Sequence, residues 1–343
     1  ALLSNNFTFP PLRITINLSP SDIKKSGSHL DLPIALLIAL NSEEFNLDQW
    51  FIFGELGLDG SIKDSPSIFT LVLSLIEQGK SLKLLIPKAS VHKISFIPNV
   101  SYIGVSTLNE AIDILKNNVS INTTKLTHTT PSITIDQVYF YEKNYPYDFN
   151  EVKGQEVAKR ASLISAAGLH NMLLSGSPGC GKSMIAKRFV YIMPPVSQDE
   201  LLSIAKNESL SGKEPNFKPQ RPFRNPHHTS TKSSIFGGGS QNAQIGEIAL
   251  SHLGLLFFDE LPHFQKQILE AMREPLEDGK ILISRVNSKV EYPTNFVFLA
   301  AQNPCPCGFL LSSIHDCRCT DLEVQRYKNK LSEPFLDRID LHI

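Results

Sequence analysis

The sequence predicts two α/β domains in tandem. Three observations support this fold class: strand-like and helix-like patterns alternate along most of the chain, a polar stretch rich in Asn, Ser and Thr interrupts the alternation, and 343 residues exceed what a single core normally serves. We therefore expect one domain at residues 1–116, a linker at 117–147 and a second domain at 148–343.

The first domain is predicted to contain strands and helices of ordinary length. Runs of β-branched and apolar residues indicate the strands, and apolar residues at helical spacing indicate the helices. The predicted strands are Arg13–Leu18, Leu82–Ile86 and Tyr102–Val105, and the predicted helices are Asp31–Leu40, Ile68–Gln78 and Leu108–Lys116.

The second domain is predicted to hold a mostly parallel sheet with helices on both faces. Its strands read as nearly continuous apolar runs, which is typical of strands buried on both sides. The predicted elements are helix Gln155–Ala167, strand Asn171–Ser175, helix Gly181–Met193, strand Leu253–Phe258 and strand Asn295–Ala301.

Composition excludes several classes of protein. The net charge is -1, with 11 basic and 14 acidic residues up to residue 150 (-3) and 22 and 20 after it (+2), so neither half has the basic excess of a passive nucleic-acid binder. The longest apolar runs are shorter than the roughly 18 residues that cross a bilayer. Five cysteines are too few for a disulfide scaffold, which favours a reducing, cytoplasmic compartment.

A complete phosphate-binding loop follows the strand Asn171–Ser175 and precedes a helix. Glycines allow backbone N–H groups to turn toward phosphate oxygens, the lysine reaches the outer phosphates, and the hydroxyl that follows holds Mg²⁺. A chance glycine-rich turn would lack this strand and helix context, and the cysteine in the loop is interpreted as a small filler residue. The loop consists of Gly176, Ser177, Pro178, Gly179, Cys180, Gly181, Lys182 and Ser183.

An acid pair ends the next apolar strand. Asp259 is the expected partner of Mg²⁺ through its hydration shell, and Glu260 is the expected base that orients and deprotonates the attacking water. An apolar run that ends in Asp-Glu also ends many structural strands, but a complete phosphate loop in the same domain favours the catalytic interpretation.

Two polar residues further along the chain are weaker candidates. Asn303 ends the last predicted strand and could hydrogen-bond the γ-phosphate or the water, although such an Asn is more often a turn former. Arg338 could neutralise charge on a phosphate in the transition state, or it could simply pair with Asp337 or Asp340 on the surface.

Four of the five cysteines form two close pairs. Soft thiolates at short spacing suit a tetrahedral zinc ion, which would hold the loop after the last strand together. The Cys-x-Cys spacing is tighter than the usual Cys-x-x-Cys, and four reduced thiols in a turn are the alternative. The candidate ligands are Cys305, Cys307, Cys317 and Cys319.

These motifs together resemble the magnesium-chelatase-like AAA+ ATPases, and within them the ComM/YifB branch. The resemblance spans essentially the whole chain. It is carried by Asp148–Gln155, the phosphate loop, Phe223–Thr229, Gly237–Gly239, Gly246–Ile248, the acid pair, Glu274–Gly279, Ala301–Gly308 and Leu336–Asp340.

The resemblance implies a homo-hexameric ring with ATP and Mg²⁺ bound at the interfaces between subunits. Lys182, Ser183, Asp259, Glu260 and Asn303 would serve one site, whereas Arg338 would act on the ATP of the neighbouring subunit. Val152 and Gln155 match the segment that borders adenine in such ATPases. A lid domain follows the ATPase core in this family, so we expect it to be absent from a chain that stops at Ile343, and we expect weak nucleotide turnover without it.

Insertions in this family include hairpins that point into the pore of the ring. Lys280, Arg285 and Lys289 lie on an alternating pattern at such a position, where they could hold DNA phosphates without reading sequence. A solvated hairpin is the alternative. His227 and His228 in the other insertion are predicted to point to opposite faces of an extended segment, which makes a shared metal site unfavourable.

The first domain resembles the Lon-type peptidase fold that this branch carries before its ATPase. In the alignment, Ile34 takes the position of the nucleophile and Phe69 that of the catalytic lysine. Neither side chain can attack a carbonyl or accept a proton, so we expect a non-catalytic domain.

The resemblance implies an ATP-driven DNA motor, a branch-migration helicase that acts on branched or single-stranded DNA in recombination during natural transformation. The alternative is a remodelling ATPase of the magnesium-chelatase type, which assists metal insertion into a porphyrin. A third possibility, an ATPase with active peptidase, is disfavoured by Ile34 and Phe69.

Overall fold

The structure is a computed structural model that describes residues 1–7, 13–18, 27–40, 50–80, 83–117, 122–123, 131–238, 244–285, 288–312 and 314–343. The chain forms two compact units. The first comprises Ala1–Thr129 together with Glu208–Asn216, and the second comprises Thr130–Asn207 and Phe217–Ile343. The division between Thr129 and Thr130 falls inside the stretch that the sequence predicts as a linker.

The first unit is built on a small, mostly parallel sheet. The sheet has the order β1-β4-β5-β6, in which only β6 runs antiparallel, and β2 and β3 form a separate antiparallel pair. The elements are α1 (Asp31–Ala39), β1 (Trp50–Ile52), β2 (Glu55–Leu56), β3 (Ile62–Lys63), α2 (Ser67–Glu77), β4 (Lys83–Pro87), α3 (Val91–Ile94), β5 (Ser101–Val105), α4 (Leu108–Asn117) and β6 (Asn122–Thr123).

Five of the six elements predicted for this unit are confirmed, and one prediction is wrong. The run Arg13–Leu18 has no regular secondary structure. Its apolar residues Ile14, Ile16 and Leu18 are 38%, 53% and 40% exposed, so the alternating pattern has no buried face to fill. A sequence with alternating apolar residues forms a strand only where one of its faces packs against a core.

The segment Glu208–Asn216 joins the first unit through specific polar contacts. The Ser209 hydroxyl donates to the carbonyl of Pro66 at 2.6 Å, and the Glu214 carboxylate lies 2.7 Å from the buried Lys93 ammonium, which also contacts Asp64. A nearly buried ammonium needs such partners, because an unpaired charge in a core is costly.

The second unit contains more elements than the sequence predicts. They are β7 (Ser132–Thr134), β8 (Val138–Phe140), α5 (Glu156–Gly168), β9 (Met172–Ser175), α6 (Lys182–Phe189), β10 (Val196–Ser197), α7 (Gln198–Leu210, whose last three residues belong to the first unit), β11 (Phe223–Arg224), α8 (Lys232–Phe236), β12 (Gly237–Gly238), β13 (Gln244–Ile245), α9 (Glu247–Leu250), β14 (Leu255–Phe258), α10 (Lys266–Ala271), α11 (Arg273–Asp278), β15 (Lys280–Arg285), β16 (Ser288–Pro293), β17 (Val297–Gln302), α12 (Asp321–Lys328), α13 (Glu333–Leu336) and β18 (Leu341–His342).

A five-stranded parallel sheet is the centre of the second unit. Its order is β11-β14-β17-β9-β18, and all neighbouring pairs are parallel. Alternate residues of each strand enter different cores: Phe257 and Leu299 pack with α5 and α6, whereas Phe258 and Phe298 pack with α10 and α13. Burial on both faces confirms the predicted parallel sheet, and its strands end at the same edge.

The stretch predicted as a linker contributes an ordered piece to the second unit. β7 and β8 form an antiparallel hairpin, and β8 also pairs with β10. Phe140 of β8 is 3% exposed, so this hairpin has its own buried anchor. Among the residues that the structure describes, no helix combines the length and apolar composition that a bilayer crossing requires.

Candidate functional site

The phosphate loop occupies the turn between β9 and α6, as the sequence predicts. Gly179 and Gly181 have φ angles of 77° and 97°, a region that side chains with a Cβ rarely adopt. α6 begins at Lys182, so its first N–H groups face the loop. A loop of this shape followed by a helix N-terminus is a site for phosphate oxygens.

Lys182 lies folded over its own loop. Its ammonium donates to the carbonyl oxygens of Gly176 and Ser177 at 2.5 and 3.0 Å and to Oδ1 of Asn303 at 3.2 Å. The positive charge is therefore held where the outer phosphates of a nucleotide would lie, and the strand end that carries Asn303 reaches the same point.

A second contact joins the loop to the acid pair. The Ser183 hydroxyl donates to Oδ2 of Asp259 at 2.8 Å. Hydroxyl and carboxylate oxygens are the ligands that Mg²⁺ prefers, so this pair fits the predicted metal position. The arrangement follows from the sheet, because β9 and β14 are parallel and end at the same edge.

Glu260 follows Asp259 in a left-handed backbone conformation, with φ at 55°. Its carboxylate lies 3.1 Å from Nδ1 of His263 and 3.6 Å from Nδ1 of His228, and its side chain is 51% exposed. A left-handed glutamate is costly unless its surroundings hold it, and such strain concentrates at functional sites. The turn directs the carboxylate toward solvent beside the phosphate loop's partner Asp259.

The contacts of His228 and His263 with Glu260 were not predicted from the sequence. The prediction that His227 and His228 point to opposite faces is wrong, because their ring centroids are only 4.1 Å apart. The segment forms a turn rather than a strand, with the N–H of Ser230 bonded to the carbonyl of His227 at 2.9 Å. The Glu-x-x-His spacing of Glu260 and His263 was a usable signal, since residues three apart in a helical turn meet.

Asn303 has a central position at this edge. β17 lies between β9 and β14 in the sheet, so the residue that follows β17 emerges between the phosphate loop and the acid pair. Strand order, which the sequence does not state, is what brings Asn303 to Lys182.

The segment before α5 borders the phosphate loop. Val152 is 2% exposed, and the Gln155 amide donates to the carbonyl of Cys180 at 3.0 Å. Glu151 pairs with Arg188 of α6, which fixes the segment to the helix that follows the loop. The contact of Gln155 places that residue beside the loop, whereas Val152 lies in the core shared by α5 and α6.

Arg338 lies away from the phosphate loop of its own chain. Its guanidinium donates to Oε2 of Glu277 at 2.9 and 3.3 Å, which lowers the pKa of the Glu277 carboxyl, and its carbonyl accepts from the side chain of Asn171. Asn171 precedes β9, whereas the phosphate loop follows it, so Arg338 is at the opposite end of this strand. The surface pairing with Asp337 or Asp340 that the sequence left open is replaced by Glu277.

The basic hairpin is present, with β15 and β16 paired in antiparallel register. Lys280 forms an ion pair with Glu291 across the strands at 3.1 Å, and Lys289 is exposed. Ile281, Ile283 and Tyr292 anchor the other face in the core. The side chain of Arg285 lies outside the described residues. Lys280 is thus partly neutralised, which the alternating charge pattern did not reveal.

The four clustered cysteines meet in space. Their sulfur atoms all lie within 4.8 Å of one another. The backbone N–H groups of Phe309 and Arg318 lower the pKa of the Cys307 thiol to about 6. Cys180 lies apart from them, in the phosphate loop, with its sulfur 3.7 Å from the Lys182 ammonium.

In the first unit, the two residues that the resemblance aligns with peptidase catalytic positions lie on helices. Phe69 is 1% exposed in the core, and Ile34 lies in α1 beside a shallow cavity of about 310 Å³ that is lined also by Leu2 and Ile38.

Fold and site together define a class, the P-loop ATPases of the AAA+ type. Family models agree with it: one for "Magnesium chelatase, subunit ChlI" matches residues 148–343, and one for "Subunit ChlI of Mg-chelatase" matches residues 1–90. The chain therefore belongs to the magnesium-chelatase-like family.

Individual relatives match the chain over its whole length. It is 38% identical to the competence protein ComM of Haemophilus influenzae and 36% identical to the uncharacterized protein YifB of Escherichia coli, in both cases over 100% of this chain and 66% of the relative. A magnesium-chelatase subunit ChlI homolog of Methanocaldococcus jannaschii is 21% identical over 47% of this chain and 50% of its own length. The chain thus spans slightly less than two thirds of the length of its ComM and YifB relatives.

Proposed function

We propose that this chain is the ATP-hydrolysing part of a hexameric DNA motor that migrates branched DNA in recombination during natural transformation. The observation that carries the proposal is the convergence of Lys182, Ser183, Asp259 and Asn303 on one edge of the sheet. Similarity over the whole of this chain, and over 66% of the relative, to a protein named for competence supports the biological setting.

In this proposal, the loop N–H groups and Lys182 bind the β- and γ-phosphates of ATP. Ser183 and Asp259 would hold Mg²⁺, which would supply positive charge to the phosphate oxygens. Glu260 accepts a proton from the attacking water, and its contacts with His228 and His263 fix the carboxylate in position before ATP arrives. Asn303 orients the water or the γ-phosphate from the centre of the edge.

Arg338 acts on ATP in a neighbouring subunit. The stretch from Asn171 to Gly176 covers about 16 Å at strand spacing, farther than an arginine side chain reaches, so Arg338 does not serve the loop of its own chain. A site completed by a neighbour requires assembly, and this supports the hexamer. Release from Glu277 would free the guanidinium for that role.

The hairpin is the proposed DNA contact. Lys289 is exposed on it, Lys280 is available if its pair with Glu291 opens, and Arg285 lies at its tip. Phosphate contacts of this kind do not read sequence, which suits a motor that travels along DNA. The near-neutral chain makes such a local contact necessary.

The test is migration of a synthetic four-way junction by the purified full-length protein. Lys182→Ala should abolish ATP-dependent migration, whereas Lys187→Ala, an exposed lysine on the same helix α6, should leave it close to wild type. Equal migration by wild type and Lys182→Ala would refute the proposal. Stimulation of ATP turnover by a porphyrin-binding partner, but not by DNA, would favour the magnesium-chelatase alternative instead.

A further inference from the structure

The four clustered cysteines form a compact sulfur cage at the end of β17. The Sγ of Cys305 lies 3.4 Å from that of Cys307 and 3.7 Å from that of Cys317, and the sulfurs of Cys307 and Cys317 are 3.6 Å apart. The backbone N–H of Cys307 points to the sulfur of Cys319 at 3.4 Å. Cys305 is fully buried, and the other three are half-buried.

This geometry fits a single tetrahedral metal ion. Zinc–sulfur bonds of about 2.3 Å in a tetrahedron hold the sulfurs about 3.8 Å apart. A disulfide would bring one pair to about 2.05 Å and separate it from the rest, whereas here three sulfurs are nearly equidistant. Four thiolates would repel one another without a cation between them. Soft sulfur ligands in this geometry select zinc over the hard cations that carboxylates bind.

The cage lies next to the nucleotide site. Asn303 is two residues before Cys305, and Gly308 is one residue after Cys307. A Cβ on Gly308 would lie 2.6 Å from Cδ of Pro178, so the cysteine loop packs directly against the phosphate loop.

We propose that Cys305, Cys307, Cys317 and Cys319 bind one zinc ion, and that this ion fixes the loop so that Asn303 stays in contact with Lys182. The described residues of the loop between β17 and α12 form no helix or strand, so side-chain ligands are what can define its path. The metal site is independent of the proposed function, whereas its effect on ATP turnover rests on it. The cysteines are positioning residues, because they act on the nucleotide through Asn303.

The first test is metal analysis of full-length protein purified without added zinc and without a metal-affinity tag. We expect about one zinc per chain. Cys317→Ser and Cys319→Ser should lower this content at least about fivefold. Cys180→Ser is the matched control, because it removes the fifth cysteine and should keep the zinc. Zinc far below one per chain, iron in its place, or full zinc in both cage variants would each overturn the proposal.

Cobalt substitution reports the geometry independently of activity. Protein reloaded with Co²⁺ should show the intense visible bands of a tetrahedral thiolate site, and these bands should be absent from Cys317→Ser. Weak bands typical of octahedral cobalt in the wild type would contradict a four-sulfur site.

The positioning role is tested by rescue. Cys319→Ser should lower kcat for ATP about tenfold with little change in nucleotide affinity, and Cys319→His should restore zinc and kcat together, because imidazole is also a zinc ligand. A kcat that follows thermal stability but not zinc content across these variants would overturn the positioning role and leave the metal analysis to decide the site itself.

Discussion

The two compact units share one construction, parallel strands with helices between them, but the candidate nucleotide site lies in the second. In the second unit, Lys182, Asp259 and Asn303 follow or face the carboxyl ends of neighbouring strands. In the first unit, Ile34 and the buried Phe69 are the residues that the resemblance would align with the nucleophile and base of a peptidase. The comparison shows that parallel strands and helices can pack in the same way whichever residues lie at their ends. Catalysis depends instead on polar groups at particular strand and helix ends.

The largest effect that sharpens this comparison is expected at Arg338. Arg338→Ala should lower ATP turnover about 10³-fold with little change in nucleotide binding, because a finger arginine acts on charge that develops in the transition state. Steady-state turnover and equilibrium nucleotide binding provide the measurement. Arg326→Ala, an exposed arginine on α12, is the control and should behave as wild type.

Mixing variants shows whether the arginine acts between subunits. Lys182→Ala and Arg338→Ala should each lower turnover strongly when assayed alone, but a mixed assembly of the proposed ring would contain interfaces with an intact phosphate loop facing an intact arginine. Partial recovery of turnover on mixing is expected. No recovery, in a mixture shown to assemble, would contradict a shared site.

The next largest effect is a loss of stability in the first unit. Phe69→Ala should cost about 3–5 kcal/mol of unfolding free energy, since it empties a fully buried aromatic site. Leu58→Ala, at a residue that is 86% exposed, should change stability by less than about 0.5 kcal/mol. Urea denaturation measures both. A loss below about 1 kcal/mol for Phe69→Ala would mean that the Phe69 side chain does not stabilise the core of the first unit as its burial predicts.

A smaller effect is expected with pH in the second unit. Burial lowers the pKa of His252 to about 4, and its Nδ1 accepts the N–H of Asn295 at 3.1 Å. Because the unfolded chain binds this proton more readily, stability is complete above the unfolded pKa of about 6.5 and falls as the pH drops toward 4.

The loss assigned to His252 is about 2 kcal/mol between pH 7.5 and pH 5. His252→Asn keeps an acceptor for the Asn295 N–H but does not titrate, so its stability should depend less on pH over the same interval. Thermal unfolding at several pH values measures this difference. Identical pH profiles for wild type and variant would contradict the assignment.

The smallest effect is expected at Ile34. Ile34→Ser supplies a hydroxyl at the aligned nucleophile position, but Phe69 cannot accept its proton, so peptide hydrolysis should stay at background. ATP turnover should remain within about twofold of wild type. Cleavage of an unfolded protein substrate by this variant would break the comparison, because the first unit would then hold a base that the apolar pattern conceals.

Much of this architecture could be predicted from local sequence. The phosphate loop, the acid pair and the strands that precede them each depend on a contiguous run of residues, and the structure has them at those positions. Helix α4 and strand β4 were equally readable from periodicity.

What could not be predicted depends on contacts between distant segments. Arg13–Leu18 has the pattern of a strand but lacks a buried face. Glu208–Asn216 belongs to the first unit through Lys93, more than a hundred residues away, and Arg338 meets Glu277 instead of its neighbours in sequence. The role of His228 beside Glu260 required the turn that brings the two together. Periodicity and spacing carry no information on such pairings.

The most direct test of the central claim is ATP turnover by the full-length protein with and without four-way junction DNA, in wild type and in Glu260→Gln. The account predicts that junction DNA stimulates the wild type and that Glu260→Gln binds ATP with unchanged affinity but hydrolyses it at least about 10²-fold more slowly under both conditions. The same wild-type turnover rate with and without junction DNA, or a Glu260→Gln variant that hydrolyses ATP at the wild-type rate, would contradict it.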